Sequence, residues 1–229
     1  MPVTTTTLTR AAGMGAVASG LLFVAVQINH PHLDAAFVTT TEYTIRETMK
    51  VLFAALALTG ITAMYLRQVQ QTGVLGLLGY LLLGVGLLTI LSVQVVAICV
   101  LPALALSEPG YVNDILAVAT GGTAAGDIGL FQTLSLISGA TFIGGGVLFG
   151  IALFRAGILA RWAAALLAVG ALATATIPLL PMINQRLFAV PVGIALIGLG
   201  YSLWREQRAA AARPAPSTRS PQLDVAGAA

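Results

Sequence analysis

Residues 74–91 read Val74-Leu75-Gly76-Leu77-Leu78-Gly79-Tyr80-Leu81-Leu82-Leu83-Gly84-Val85-Gly86-Leu87-Leu88-Thr89-Ile90-Leu91, and the run continues to Ala103 without an Asp, Glu, Lys or Arg. The hydrocarbon core of a bilayer is about 30 Å thick and takes roughly 20 apolar residues of helix to cross. This run is longer than that, so it tilts or extends past the lipid. It lacks the alternation of apolar and polar residues that marks a membrane β-strand.

Working outward, five more runs qualify, at 11–29, 46–66, 128–154, 162–180 and 187–204. The chain of 229 residues is 58% hydrophobic and 8% charged, with a mean hydropathy of +0.94. A soluble domain carries about 25% charged residues, so lipid must cover most of this surface. The expectation is an all-α, polytopic membrane protein of six helices. Residues 1–10 form a cytoplasmic lead, 11–204 the membrane domain, and 205–229 a disordered cytoplasmic tail rich in Ala, Arg, Pro and Ser. The first run ends in Gln27-Ile28-Asn29-His30-Pro31-His32 rather than a small-residue cleavage site, so it reads as a span and not a signal peptide. The net charge of +3 comes from scattered arginines with no basic patch between aromatics, which excludes nucleic acid as a partner. Cys99 is the only cysteine, so no internal disulfide forms.

Charge sets the orientation. Numbering the spans one to six, Arg10, Arg67, Arg155, Arg161, Arg205, Arg208, Arg213 and Arg219 fall on one side. Arg46, Lys50 and Arg186 fall on the other, with Asp34, Glu42, Glu47, Glu108, Asp114 and Asp127. Cytoplasmic loops collect Arg and Lys. The reading is therefore N-in/C-in in a bacterial plasma membrane, with Tyr65, Trp162 and Trp204 as inner anchors. The inner connections are short and leave no room for a catalytic domain.

Helices in lipid associate through close backbone contact at small residues. Ala12, Ala16 and Gly20 offer one stripe; Gln132, Ser135, Gly139, Gly146 and Gly150 another; Gly198 and Ser202 a third. These faces also suit a homo-oligomer. Pro178 and Pro181 end helix five, and Pro191 would interrupt helix six near its outer end. Two halves of three helices permit an inverted repeat, though no internal similarity supports one.

The polar residues crowd the outer third. The uncharged stretch of helix two, Val51 to Tyr65, is too short to span, so its membrane segment takes in Arg46, Glu47 and Lys50. Glu47 and Lys50 are three apart, share a face and can pair. Charges at that depth usually face the bundle interior or water; the alternative is snorkelling into the headgroups. In His30-Pro31-His32 the proline holds the chain extended, and alternate residues point one way. His30, His32 and Asp34 are thus candidate ligands for a divalent transition ion. In the outer loop 104–127, residues 111–118 read as a short helix over the bundle, a candidate lid hinged at Gly121, Gly122 and Gly126. Asp127 is either a site residue or the N-cap of helix four. No phosphate-binding loop, zinc-protease motif or nucleophile elbow is present.

The Gln27-to-His32 segment followed by Asp34, the Ala/Gly/Val-rich spans and Ala189-Val190-Pro191-Val192-Gly193 at the start of helix six resemble small six-helix integral membrane proteins of actinobacteria. The composition fits a high-GC genome. The resemblance covers the membrane region and not the tail. It implies the six-helix topology and brings no assigned chemistry with it.

Three functions compete. A binding or transport module for a small or lipidic ligand would use Gln27, Asn29, His30, His32, Glu47, Lys50, Gln94, Asp127 and Gln132 around a cavity reaching from the outer face to Gln94 and Gln132. An intramembrane enzyme acting on an isoprenoid or lipid would use Glu47, Asp34 or Asp127 as general acid or base, with His30 or His32 assisting. It requires a closed apolar pocket with one carboxyl in its wall. A structural or accessory subunit needs no cavity. Many mixed polar groups near one mouth place binding or transport first.

Overall fold

The computed structural model describes residues 4–29, 31–176 and 185–211. His30, Pro178, Pro181, Asn184, Arg213, Arg219 and the tail from residue 212 lie outside this set, as do the side chains of Gln185 and Arg186. Every regular element among the described residues is helical. They are α1 (Thr5–Gln27), α2 (Ala35–Val38), α3 (Thr41–Arg67), α4 (Val69–Cys99), α5 (Leu101–Ser107), α6 (Pro109–Ala119), α7 (Phe131–Ala156), α8 (Arg161–Thr174) and α9 (Val190–Ala211), with a 3-10 turn at Gln185–Ala189. A helix closes its backbone hydrogen bonds internally, which is the condition for lying in lipid.

Five helices, α1, α3, α4, α7 and the segment Leu187–Ala209, are long and apolar enough to cross a membrane. This is a helical membrane protein. The segment expected as a sixth span, 162–180, is a helix of only 14 residues, α8, about 21 Å at 1.5 Å per residue. Other limits move too. α1 begins at Thr5, where the Thr4 hydroxyl accepts from the Thr7 N–H. α3 begins at Thr41, capped by the Thr40 hydroxyl. The long third run breaks at Val100 into α4 and α5. α9 continues past Arg205 to Ala211. Pro191 does not interrupt a helix: it sits in the first turn of α9, where its missing N–H leaves no hydrogen bond broken.

The six longer membrane-region helices close a ring in the order α1, α3, α4, α7, α8, α9 and back to α1. One end is identified by contacts between distant segments. Gly13 lies against the backbone at Gly200 and Trp204, the Ser202 hydroxyl accepts from the Ala160 N–H, and Arg67 pairs with Glu206. The start of α1 and the end of α9 therefore share an end, together with both α3–α4 and α7–α8 connections. Arg10, Arg67, Arg155, Arg161, Arg205 and Arg208 all belong to it. At the α7–α8 connection Gly157 takes a left-handed φ of 67° and ends α7.

Small residues set the distances between the helices. A side chain at Gly145 would strike the Leu83 backbone of α4, and one at Gly79 would strike the Phe149 backbone of α7. Gly20 meets Gly193 of α9, Gly60 meets Ala16 of α1, and Gly198 meets Trp162 of α8. Gly20, Gly60, Gly145 and Gly198 are thus met by neighbours within the same chain. Between them Phe53, Ile61, Met64, Leu83, Phe149 and Leu199 form the main core. A second, smaller core at the opposite end joins Val38, Tyr43, Leu101, Val112 and Leu116.

Candidate functional site

Between these two cores the described residues enclose a partly open cavity of about 850 Å³. Its walls come from α1 (Phe23, Gln27), α3 (Tyr43, Glu47, Lys50, Phe53), α4 (Ile90, Gln94, Ala97) and α7 (Gln132, Ser135, Ser138, Gly139, Phe142). Thr174 closes one side, and α6 roofs it with Tyr111, Ile115 and Leu116. The lining is mostly apolar, in the size range of small-molecule sites, roughly 300–1,000 Å³.

Glu47 is the one carboxylate in the wall, and it is 4% exposed. Its Oε1 accepts from Lys50 Nζ at 2.5 Å, the pairing expected from their spacing. Its Oε2 is buried with no hydrogen-bond partner, and so is Oε1 of Gln27, which lines the cavity from the neighbouring α1. One turn before Glu47, the buried Tyr43 hydroxyl donates to the Ala97 carbonyl at 3.4 Å and ties α3 to α4. Arg46 turns the other way. Its Nε donates to Glu42 at 2.8 Å, and its guanidinium donates to the carbonyls of Val26, Ile28 and Asn29 at 3.3, 3.3 and 3.0 Å. Those carbonyls have no acceptor role left within α1, so Arg46 closes the end of that helix, where Asn29 reverses the chain with φ 47°.

The roof is fastened by side chains. Asn113 of α6 accepts from the Ala35 N–H at 2.8 Å. Asp114 accepts from the N–H groups of Ala125 and Gly126 at 3.0 and 2.9 Å. These two bonds, Ala125 first, hold its carboxyl below the usual value of 3.8. Residues 111–118 are therefore a helix over the bundle, as the sequence suggests, tied down at both of its neighbours.

Of the sequence-derived candidates, Gln27, Glu47, Lys50, Gln94 and Gln132 come together around the cavity. The others do not. Asp34 caps α2 by accepting from the Phe37 N–H at 2.7 Å. Asp127 accepts from the Gly129 N–H at 2.8 Å and closes a turn; the N-cap of α7 is Leu130. Asn29 and His32 are exposed and outside the lining. Among the described residues no group of three His, Cys, Asp or Glu side chains converges; His30 is outside that set. The stripe Gln132, Ser135, Gly139, Gly146, Gly150 is not one packing face. Its first three residues line the cavity, and its last two meet α8 at Ala171, Ala164 and Ala168.

Sequence reasoning missed Tyr43, Ser138, Thr174 and the grip of Arg46 on α1. Tyr43 was reachable, since it stands four residues before Glu47 on the same face. The bond from Arg46 to α1 spans a loop and leaves no local signature. In comparison with known proteins, no family model, curated protein or solved structure matches the chain.

Proposed function

We propose that this chain crosses the cell membrane six times with both termini in the cytoplasm, and that its outer-half cavity binds a lipidic small molecule, as a binding or transport module. The cavity itself carries the reading: about 850 Å³ of mostly apolar wall with a few polar groups gathered at Glu47, Gln27, Gln94 and Gln132. Six passes are supported by the shared end of α1 and α9, which requires an even number, and by α8 lying between α7 and α9. The arginines at that end support its cytoplasmic placement.

The enzymatic reading is weaker because it calls for a closed pocket, whereas this cavity is partly open, and of its three candidate carboxylates Asp34 and Asp127 are engaged with backbone N–H groups outside the lining. Two experiments test the proposal. Native mass spectrometry of gently extracted protein should find a co-purifying apolar molecule on the wild type and lose it in Gly139→Leu; bare wild-type protein contradicts the reading. In a Cys99→Ser background, an impermeant maleimide should label Thr123→Cys in intact cells and spare Gln71→Cys. The reverse pattern inverts the topology.

A further inference from the structure

The chemistry of the wall specifies the head of the bound molecule, given the lipid-binding reading above. We infer that the cavity recognises a long-chain alcohol: an apolar tail carrying an uncharged head that donates hydrogen bonds. Two acceptors on residues of this wall are buried without a donor, Glu47 Oε2 and Gln27 Oε1. Leaving such an atom unpaired carries a penalty of about 1–3 kcal/mol, more for a charged group, so a ligand that brings one donor gains most at Glu47. An anionic head brings no donor and meets the free lone pairs of a carboxylate. A cationic head is not required, because Lys50 already balances the Glu47 charge at 2.5 Å. A hydroxyl matches what remains: it donates to Glu47 Oε2, and its own oxygen can accept from the amide of Gln94 or Gln132, which line the same space. The tail then lies against Phe23, Phe53, Ile90 and Phe142.

The test uses full-length protein in nanodiscs with isotope-labelled hexadecanol. Hexadecane, hexadecanoic acid and hexadecylamine compete at equal mole fraction in the bilayer. Hexadecanol should bind about tenfold more tightly than hexadecane, the ratio for one hydrogen bond to a charged group, with the acid weakest. Gln27→Met, close in volume, should leave the ratio of alcohol to alkane within about twofold, because the hydroxyl's one proton goes to Glu47. Glu47→Gln should relieve the rejection of the acid. Each variant is first shown to match the wild type in gel filtration and in its hexadecane affinity. Equal binding of alcohol and alkane, or tighter binding of the amine or the acid, overturns the inference while leaving the cavity reading intact. If none of the four compounds binds and Gly139→Leu changes nothing, the cavity reading itself fails.

Discussion

The arginine-rich half and the opposite half of this bundle use similar residues in opposite ways. In the first, Gly79 and Gly145 bring α4 and α7 into backbone contact, and Phe149, Met64 and Leu199 fill what is left. In the second, the same α7 presents Gly139, where an added Cβ meets nothing within 4 Å. One helix thus seals one half and opens the other, six residues apart. The difference lies in the facing surface. Gly145 is met by a chain at the height of Leu83, whereas Gly139 looks into the space that α6 covers from above. Small residues in membrane helices therefore carry two meanings, contact and vacancy, and only the neighbour distinguishes them.

Changes that erase this contrast should have graded effects. Gly145→Leu should be the most damaging, at more than about 3 kcal/mol, because an overpacked site with backbone opposite cannot relax through rotamers; unfolding in denaturing detergent measures it. Glu47→Ala should follow at about 3 kcal/mol, the low end for breaking a buried ion pair, since Lys50 retains some solvent access. The same unfolding assay should show Arg46→Ala losing about 1–2 kcal/mol through the freed carbonyls of Val26, Ile28 and Asn29. Asp114→Asn should be smaller and dependent on pH. The native carboxyl titrates below 3.8 because of the Ala125 and Gly126 N–H groups. Its contribution is full above that value and is lost as pH falls through the native pKa. Amide protection at Ala125 and Gly126, corrected for intrinsic exchange, should drop below about pH 4 in the wild type and change little with pH in the variant.

The membrane class and the crowding of polar groups were legible in the sequence because both follow from composition and charge. Glu47 and Lys50 were legible as a pair because helix geometry fixes residues three apart on one face. In the segment expected as a sixth span, 162–180, the apolar character persists beyond Thr174, whereas the described helix α8 ends there; residues 177–180 lie outside the described residues. Asp34 and Asp127 misled because a short polar side chain near a helix start serves a cap or a turn as readily as a site, and only the nearby N–H group decides between them. The roof was visible as a helical pattern in residues 111–118, whereas its fastening through Asn113 and Asp114 joins segments far apart in the chain.

If the half opposite the arginine-rich end is hollow because it holds a lipidic molecule, as proposed, that molecule can be trapped in place. The most direct measurement is photo-crosslinking in nanodiscs with a long-chain alcohol bearing a diazirine near its tail end, followed by peptide mapping. The account predicts adducts concentrated at Phe23, Ile90 and Phe142, displaced by excess unlabelled alcohol and absent in Gly139→Leu. Adducts spread evenly over outward-facing positions such as Leu78, Leu134 and Leu172, with no displacement, would contradict it.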